Sequence, residues 1–381
     1  MKTILLAFDS FKGSLTSREV ADAFEEGVRT IVPDCEVRKV CLADGGEGTA
    51  EALVTSLDGE WVEAEVFDPL MRPIRARYGL VDNGQTGIIE MAVASGLPLL
   101  DESERNPLKT STYGTGQLIA DALARGCRKL LIGIGGSATN DAGLGMLMAL
   151  GYRFLDAEGN PLPGRGESLE QIAFIDDTHV LSELKSVEIY VACDVTNPFC
   201  GPQGAAHIFA PQKGADEAMV ARLDRGLSHF ASIINEYNRV DVVNIPGAGA
   251  AGGLGGAFSA LLNAQLSRGV EIVLDALHFE ELLKGCDLVV TGEGRIDHQT
   301  LMGKAPSGVL QVASRRGIPT IAIGGSVEWC KELEDSGFFS ILSINEENLP
   351  LHIAMRPNVA KENIRRTAQK VANIAFFSSK D

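Results

Sequence analysis

Apolar residues in this chain occur in short continuous runs separated by amphipathic stretches. Residues 3–8 form an apolar run, which is typical of a strand covered on both faces. Thr16 followed by Glu19 three positions later predicts a capping box that begins a helix reaching about Ile31. Residues 36–42 are a second predicted strand. The chain therefore starts with a β-α-β unit.

The same alternation returns near the other end of the chain. We expect strands at 287–291 and 319–323, a helix at 304–316 between them, and a last helix over 358–376. Strands that alternate with helices of this length favour a parallel sheet. Residues 66–285 differ, with β-rich stretches and longer loops.

A chain of 381 residues exceeds a usual single core, so two domains are expected. The pattern predicts an α/β fold: a discontinuous, parallel-sheet Rossmann-like domain of residues 1–65 and 286–381, with a second α/β domain, 66–285, inserted into it. A sequential division near residue 150 is the alternative. The active site is expected in the cleft between the domains.

Charge and cysteine content narrow the function classes. The chain has 34 Lys plus Arg against 51 Asp plus Glu, a net charge of −17, which disfavours nucleic acid and anionic membranes as partners. No apolar run is long enough for a membrane span, and the first one ends at Asp9, too early for a signal peptide. Seven scattered cysteines without a CxxC pair indicate reduced thiols and a cytoplasmic protein.

A first glycine-rich segment, Gly133 to Asp141, follows a predicted strand at 130–132 and precedes an apolar helix at 144–150. Glycines at such a turn let backbone amides approach an anion, so the segment favours phosphate binding. It has neither the Gly-Lys-Ser/Thr ending of a Walker A loop nor GxGxxG spacing. A tight turn needed only for packing is the alternative.

A second segment, Pro246 to Gly256, contains only side chains too small for chemistry before a helix predicted at about 254–266. Its value must lie in access to the backbone. It either cradles a nucleotide phosphate or permits close helix packing, and packing is favoured for this segment taken alone.

Charged residues follow several predicted strands. Because ligand sites in open parallel sheets lie beyond the carboxyl ends of strands, acids and cations there indicate a site. These residues are Asp9, Ser10, Lys12 and Ser14 after the first strand, Asp44 and Glu47 after the second, Asp194 after a strand ending at Ala192, and Glu293, Arg295 and Asp297 after 288–290. A solvated loop residue is the alternative for each. Lys213, in a Pro-Gln-Lys-Gly turn, offers another cation in a loop, with a surface residue as the alternative.

Such a set suits phosphoryl transfer from a nucleotide, which needs oxygen ligands for Mg²⁺, cations or amides on the phosphoryl group, and a carboxylate that orients the acceptor hydroxyl. Oxygens would come from Asp44, Asp194, Glu293 and Asp297, and positive charge from Lys12 and Arg295.

Taken together, these segments resemble the type I glycerate kinase family over essentially the whole chain. The matching pieces are Asp9–Ser14, Ala43–Thr49, Gly133–Asp141, Ala192–Pro198, Pro211–Ala215, Pro246–Gly253 and Thr291–Asp297. The family usually has Asn-Asp-Gly-Gly where this chain has Asn140, Asp141, Ala142 and Gly143. The resemblance implies ATP-dependent phosphorylation of D-glycerate with Mg²⁺, with 2-phosphoglycerate favoured over 3-phosphoglycerate.

Roles for individual residues follow as hypotheses from this resemblance. Catalytic roles fall to Asp297, as the group that orients or deprotonates the hydroxyl, and to Asp194, Lys12 and Arg295. Glycerate would contact Ser10, Ser14, Lys12 and Arg295. ATP would be bound by Gly135, Gly136, Ser137, Asn140, Gly249, Gly252 and Gly253, and Mg²⁺ by Asp44, Asp194 and Glu293.

Three other functions stay open at this point. One is a kinase of another small hydroxy acid, and a second is a non-catalytic nucleotide-binding sensor. A third is a hydroxy-acid dehydrogenase, against which the absent GxGxxG motif counts. The oligomeric state is undetermined, with a homodimer as one option.

Overall fold

The structure is a computed structural model, and it describes residues 2–377. The strands in this range are β1 (Thr3–Phe8), β2 (Glu36–Cys41), β3 (Glu60–Phe67), β4 (Pro73–Val81), β5 (Thr86–Glu90), β6 (Lys129–Gly133), β7 (Arg153–Leu155), β8 (Phe174–Asp176), β9 (Glu188–Ala192), β10 (Gln265–Ser267), β11 (Leu288–Ile296), β12 (Thr320–Val327) and β13 (Ser340–Ser343).

The α-helices in the same range are α1 (Ser17–Ile31), α2 (Thr49–Ser56), α3 (Ala92–Ser95), α4 (Tyr113–Ala124), α5 (Leu144–Ala149), α6 (Ala205–Phe209), α7 (Glu217–Asn238), α8 (Ala250–Leu262), α9 (Gly269–Ala276), α10 (Phe279–Leu282), α11 (Ala305–Arg315), α12 (Lys331–Glu334), α13 (Leu351–Ala354) and α14 (Pro357–Phe376). None of these helices is long and apolar enough to cross a membrane.

These elements form two compact units. The first takes the chain up to Asp44 and from Val270 onward, and the second is Gly45–Gly269. Their bounds differ from the predicted domain limits. The predicted division into 1–65 with 286–381 around an inserted 66–285, and the cleft site that goes with it, stay predictions.

The first unit contains a five-stranded sheet in the order β13-β12-β11-β1-β2. Every neighbouring pair in it is parallel, so the predicted parallel sheet is confirmed. Alternate residues of β1, including Ile4 and Phe8, pack in one cluster with α1 and α14. The others, such as Leu5, are equally buried, and this is why the strand is apolar throughout.

Helix α1 begins as the sequence predicts. The Thr16 hydroxyl accepts a hydrogen bond from the Glu19 amide at 3.3 Å, and the Glu19 carboxylate accepts one from the Thr16 amide at 3.1 Å. This reciprocal pair satisfies two of the otherwise unpaired amides at the helix start. The helix ends at Ile31, as predicted.

The second unit contains a six-stranded mixed sheet in the order β10-β9-β6-β5-β4-β3. Strands β3, β4 and β5 pair antiparallel, whereas β5, β6, β9 and β10 pair parallel. A separate antiparallel pair, β7 and β8, completes its strands. The parallel half places the glycine-rich segment that starts at Gly133 at the carboxyl end of β6.

Several element boundaries differ from the sequence predictions, and β12, predicted at 319–323, extends to Val327. The strand predicted at 287–291 is longer than expected, because β11 continues to Ile296 alongside β12. Gly292 permits this close pairing, since a Cβ there would lie 2.2 Å from the Ile323 carbonyl oxygen. The helix predicted to reach residue 266 ends at Leu262, where Asn263 turns the chain with a left-handed φ of 53°.

The contact between α1 and α14 generates a stability prediction. A Cβ at Gly27 would lie 2.4 Å from the Arg365 carbonyl oxygen, a backbone atom that cannot move without shifting α14. We expect Gly27→Ala to lower the free energy of unfolding by about 2 kcal/mol, as overpacking does in other cores.

The matched control for this prediction is Gly308→Ala in α11. The nearest atoms to a Cβ there would be side-chain carbons, Val270 Cγ2 at 2.5 Å and Leu274 Cδ1 at 3.2 Å, so the clash can be relieved by moving side chains instead of backbone. Its effect on urea unfolding, followed by circular dichroism, is expected to be less than half as large. Equal effects of the two substitutions would contradict the steric explanation.

Candidate active site

A cavity of about 430 Å³ in the first unit opens at the carboxyl ends of its central strands. Three carboxylates line it: Asp9 follows β1, Asp44 follows β2, and Glu293 lies in the second half of β11. The remaining lining residues are Ser10, Phe11, Lys12, Ser14, Gly294, Arg295, Lys304, Gly325, Ser326, Ile344, Asn345, Leu351, Ala354, Met355 and Ala360. Parallel pairing thus brings together acids that lie far apart in the sequence.

Among the acids that line this cavity, Asp9 has the pKa that is raised most clearly. It is 7% exposed, and its carboxylate accepts a hydrogen bond from the Ser10 amide at 2.5 Å. Burial raises the pKa of Asp9 to about 7, and the nearby charges of Asp44 and Glu293 act in the same direction. A carboxyl group with such a pKa is suited to exchange a proton near neutral pH.

Glu293 is held by two neighbours. The Thr300 hydroxyl donates to one carboxylate oxygen at 2.7 Å, and the Lys304 ammonium lies 3.3 Å from the other. Burial nevertheless raises the pKa of Glu293. Sequence reasoning missed Lys304, because a lysine just before a helix carries no distinguishing pattern.

The four predicted glycerate contacts, Ser10, Lys12, Ser14 and Arg295, all line this cavity. The Ser14 hydroxyl is buried, and it has no hydrogen-bond partner in the described part of the chain. Arg295 is more exposed, with 62% of its side chain accessible, and it pairs with Glu328 and with Asp297.

Asp297, the predicted base, is not among the residues that line the cavity. It caps the short 3₁₀ helix His298–Met302, where its carboxylate accepts from the Gln299 amide at 2.9 Å. Its other carboxylate oxygen lies 3.2 Å from Arg295 Nε. The catalytic role of Asp297 stays a prediction.

A second cavity, of about 340 Å³, lies in the second unit. It brings together three predicted ATP contacts, Gly135, Gly136 and Ser137, with Asp194. Its other lining residues are Gly45, Gly46, Leu97, Ile134, Ala192, Cys193, Val195, Phe209, Gln212, Lys213, Ala250 and Ala251. Asp194 Oδ1 accepts a hydrogen bond from the Gly269 amide at 3.0 Å.

The turn behind this cavity is organised by the buried Asp141 carboxylate. Its oxygens accept hydrogen bonds from the Thr112 amide and hydroxyl, both at 2.8 Å, and from the amides of Gly143 and Gly145 at 3.2 and 3.1 Å. Burial raises the pKa of Asp141, whereas these hydrogen bonds oppose the rise. The carboxylate therefore satisfies amides at the start of α5 and holds the glycine-rich turn.

The other predicted ATP contacts do not line the cavity. A Cβ at Gly249 or Gly252 would lie 2.2 Å from a backbone oxygen, of Pro198 or Thr139 respectively, so both positions serve close backbone packing. Gly253 has a φ of 90°, a conformation that favours glycine. Asn140 is fully buried, and its side-chain amide has no partner in the described residues. Nucleotide contacts by these four residues stay predictions.

Lys213, which the sequence offers as a further loop cation or as a surface residue, is buried, so the surface alternative is wrong. Its side chain is 1% exposed, and Nζ donates to Ser137 Oγ at 2.8 Å and to the Thr139 carbonyl oxygen at 2.6 Å. Burial lowers the pKa of Lys213 to about 7. Its two hydrogen-bond partners lie more than 70 positions away along the chain, so local sequence could mark the turn but could not show that the lysine is buried.

Known proteins similar to this chain identify its family. The sequence profile of the glycerate kinase family matches residues 4–375. The chain belongs to the glycerate kinase family. It is 50% identical over its full length to the glycerate kinase of Halalkalibacterium halodurans, covering 99% of that protein, and 46% identical to the glycerate 2-kinase of Escherichia coli K12, with 97% of each chain covered.

A solved structure of a similar protein supports the fold. The crystal structure of a protein from Salmonella typhimurium LT2, described as a glycerate kinase 2, matches with a TM-score of 0.90 at 47% identity and covers 98% of both chains. The predicted α/β fold with a parallel sheet is confirmed, and so is the resemblance to the glycerate kinase family. The protein is an enzyme, and its class is a kinase.

The residues predicted to hold Mg²⁺ fall into both cavities. Asp44 and Glu293 line the first and Asp194 the second. In the described part of the chain, no three His, Cys, Asp or Glu side chains are arranged to bind a metal by themselves. Magnesium in kinases usually has one or two carboxylates, with phosphate and water as its other ligands, so the pair Asp44 and Glu293 fits a partial site of this kind.

The buried ammonium of Lys213 generates a pH prediction. Its pKa is about 7 in the folded protein and 10.5 ordinarily, so between these values the unfolded chain binds more protons. The unfolding free energy of the wild type, relative to that of Lys213→Met, should therefore rise with pH in this window, by at most about 1.4 kcal/mol per pH unit.

The measurement compares urea unfolding of the two proteins at pH 7 and pH 9. The exposed Lys185→Met serves as the control, and its difference from the wild type is expected to stay constant over the same range. A constant difference for Lys213→Met as well would contradict a lowered pKa.

Proposed function

We propose that this kinase transfers the γ-phosphoryl group of ATP to the 2-hydroxyl of D-glycerate, with Mg²⁺ as its cofactor. The observation that carries the proposal is the first cavity, where Asp9, Asp44 and Glu293 lie together with Lys12 and Lys304. Phosphoryl transfer needs such a mixture of carboxylates and cations around the acceptor. The 2-position is supported by the name of the Escherichia coli relative, glycerate 2-kinase.

Glycerate is a small anion with two hydroxyl groups, and the first cavity offers partners for both features. Lys12 and Arg295 are the cations proposed to bind its carboxylate, Arg295 by a bidentate contact. Ser10 and Ser14 supply hydroxyl groups, and the Ser14 hydroxyl has no protein partner in the described residues that would have to be displaced.

Two carboxylates are candidates to orient the acceptor hydroxyl. Asp297 is the candidate from the sequence, but its oxygens are occupied by the Gln299 amide and Arg295. Asp9 lines the cavity and has no cation within ion-pair distance in the described residues. We propose that Asp9 orients the hydroxyl and that Asp297 positions Arg295.

ATP is proposed to bind at the glycine-rich turn of the second unit, where the backbone amides near Gly135, Gly136 and Ser137 border the second cavity. Asp44, Glu293 and Asp194 are the residues proposed to hold Mg²⁺. Bound there, the ion would neutralise charge on the phosphate oxygens.

The first test is ADP release by the purified protein with MgATP and D-glycerate, beside L-lactate, glycerol and a reaction without acceptor. We expect release to depend on D-glycerate, and the phosphorus–proton coupling in the NMR spectrum of the product to place the phosphate on the 2-oxygen. ADP release with L-lactate but not with D-glycerate would indicate another hydroxy acid. ATP binding without any turnover would favour a nucleotide sensor.

The second test separates the two candidate carboxylates. Asp9→Asn is expected to lower kcat by about 100-fold or more, the usual contribution of a positioned proton acceptor. Asp297→Asn should mainly raise KM for glycerate, because asparagine caps the short helix about as well as aspartate but loses the charge that pairs with Arg295.

Steady-state kinetics with both substrates check this expectation. The exposed Asp34→Asn in the same unit is the control and should behave as the wild type. A large kcat loss in Asp297→Asn with an active Asp9→Asn would return the catalytic role to Asp297.

A further inference from the structure

The second cavity contains a buried cation that has no carboxylate partner. Lys213 is 1% exposed, and its ammonium donates only to neutral oxygens, Ser137 Oγ and the Thr139 carbonyl. In the described part of the chain no carboxylate forms an ion pair with it. Among the described residues, Asp141 is the one charged group whose field acts on it appreciably, and that carboxylate is itself occupied by four hydrogen bonds.

A buried ammonium without a counter-charge is unfavourable, because desolvation costs more than hydrogen bonds to neutral oxygens return. The lowered pKa of Lys213 reports this cost. Groups that remain in such an environment are concentrated at functional sites, where a ligand supplies what the protein lacks. For Lys213 the missing partner is an anion.

The surroundings of Lys213 indicate which kind of anion. Ser137, which accepts its hydrogen bond, belongs to the same cavity lining as Gly135 and Gly136, at the turn that follows β6. Gly136 has a left-handed φ of 73°, and consecutive amides in such a turn form a concave site for phosphate oxygens. A lysine beside such a turn is a common phosphate ligand, since it acts as a compact point charge.

We propose that Lys213 binds a phosphate oxygen of the nucleotide in the second cavity. This inference rests on the proposed function, because it takes ATP as the ligand of that cavity. It adds a residue of the short 3₁₀ helix that follows α6 to the site predicted from the glycine-rich segment alone. Lys213 is then a binding residue, with Ser137 as the group that orients its ammonium.

A purely structural role is the competing explanation, since Lys213 also ties Ser137 to Thr139. The two explanations differ in what Lys213→Met does to different ligands. A structural role distorts the turn and weakens every ligand of the cavity, whereas a phosphate contact is lost only for ligands that carry that phosphate.

The experiment therefore compares a series of ligands: ATP, ADP and AMP by titration calorimetry, and adenosine by competition. It is made on the wild type, on Lys213→Met and on the exposed control Lys185→Met. We expect Lys213→Met to weaken ATP binding at least tenfold and to leave adenosine binding within twofold. The shortest nucleotide that shows the loss identifies the phosphate that Lys213 contacts.

Other results of this series overturn the inference. Equal weakening of ATP and adenosine would assign Lys213 to the structure of the turn. Unchanged ATP affinity in Lys213→Met, or no ATP binding by the wild type, would remove it from the nucleotide site.

A second measurement needs no substitution, so it is independent of how well the variant folds. An acyl-phosphate derivative of ATP carries an acyl group on its terminal phosphate. A neutral lysine amine near that phosphate attacks the carbonyl carbon and the acyl–phosphate bond breaks. An amide forms, ATP leaves with the bonding electron pair, and the amine releases one proton to water. Peptide mass spectrometry is expected to find the acyl group on Lys213. When excess ATP is present during the reaction, Lys213 is expected to remain unlabelled. Acylation of other lysines with Lys213 unmodified, together with an ATP affinity that Lys213→Met leaves unchanged, would overturn the inference.

Failure of the proposed function would look different. If the ligand series and the labelling behave as expected but D-glycerate does not stimulate ADP release, the phosphate contact stands and the acceptor assignment fails. If D-glycerate is phosphorylated but Lys213→Met binds ATP normally, the acceptor assignment stands and the Lys213 inference fails.

Discussion

Parallel pairing of β1 with β2 on one side and with β11 on the other is the constraint on which the first cavity depends. Phe8 is the register partner of both Cys41 and Gly292. Because the three strands run in the same direction, the chain leaves β1 and β2 at the edge where β11 carries Glu293. Residues separated by almost the whole chain thus share one cavity, and its acids are held by the hydrogen bonds of a buried sheet.

Bringing carboxylates together out of water has an electrostatic cost, and the fold leaves part of it uncompensated. Lys304 and Thr300 hold Glu293, whereas Asp9 has only the Ser10 amide and the more distant charge of Lys12. Burial is the main reason why the pKa of Asp9 is raised to about 7, and the charge of Asp44 adds to it. A fold selected only for stability would pair or replace such a group, so the arrangement is the mark of a site that handles charged ligands.

The second unit shows the same principle with the opposite sign. Asp141 is a buried charge that the protein satisfies completely, through amides and a hydroxyl at the start of α5, and it is structural. Lys213 is a buried charge that the protein satisfies only with neutral oxygens. The contrast between these neighbours separates the group that builds the turn from the group that is available to a ligand.

Local chemistry made much of the fold predictable. The strand at residues 3–8, the helix from its Thr16 cap to Ile31 and the turn after β6 depend on residues close in sequence, and each was predicted with its place. Glycines were harder to interpret, because the same residue type serves a cavity at Gly135 and close backbone packing at Gly252. Ala142 adopts a left-handed φ of 50° where the family usually has glycine, which a sequence pattern alone would not suggest.

The sequence by itself determined the α/β class, the family and part of the residues that line the two cavities, because hydrophobic period, capping and glycine placement act over a few positions. Only the tertiary structure decided that β11 continues to Ile296, that Lys304 reaches Glu293 and that Lys213 is buried. Each of these depends on pairing or burial between segments distant along the chain. Burial, not residue type, decides whether a lysine is a solvated surface charge or a ligand for an anion.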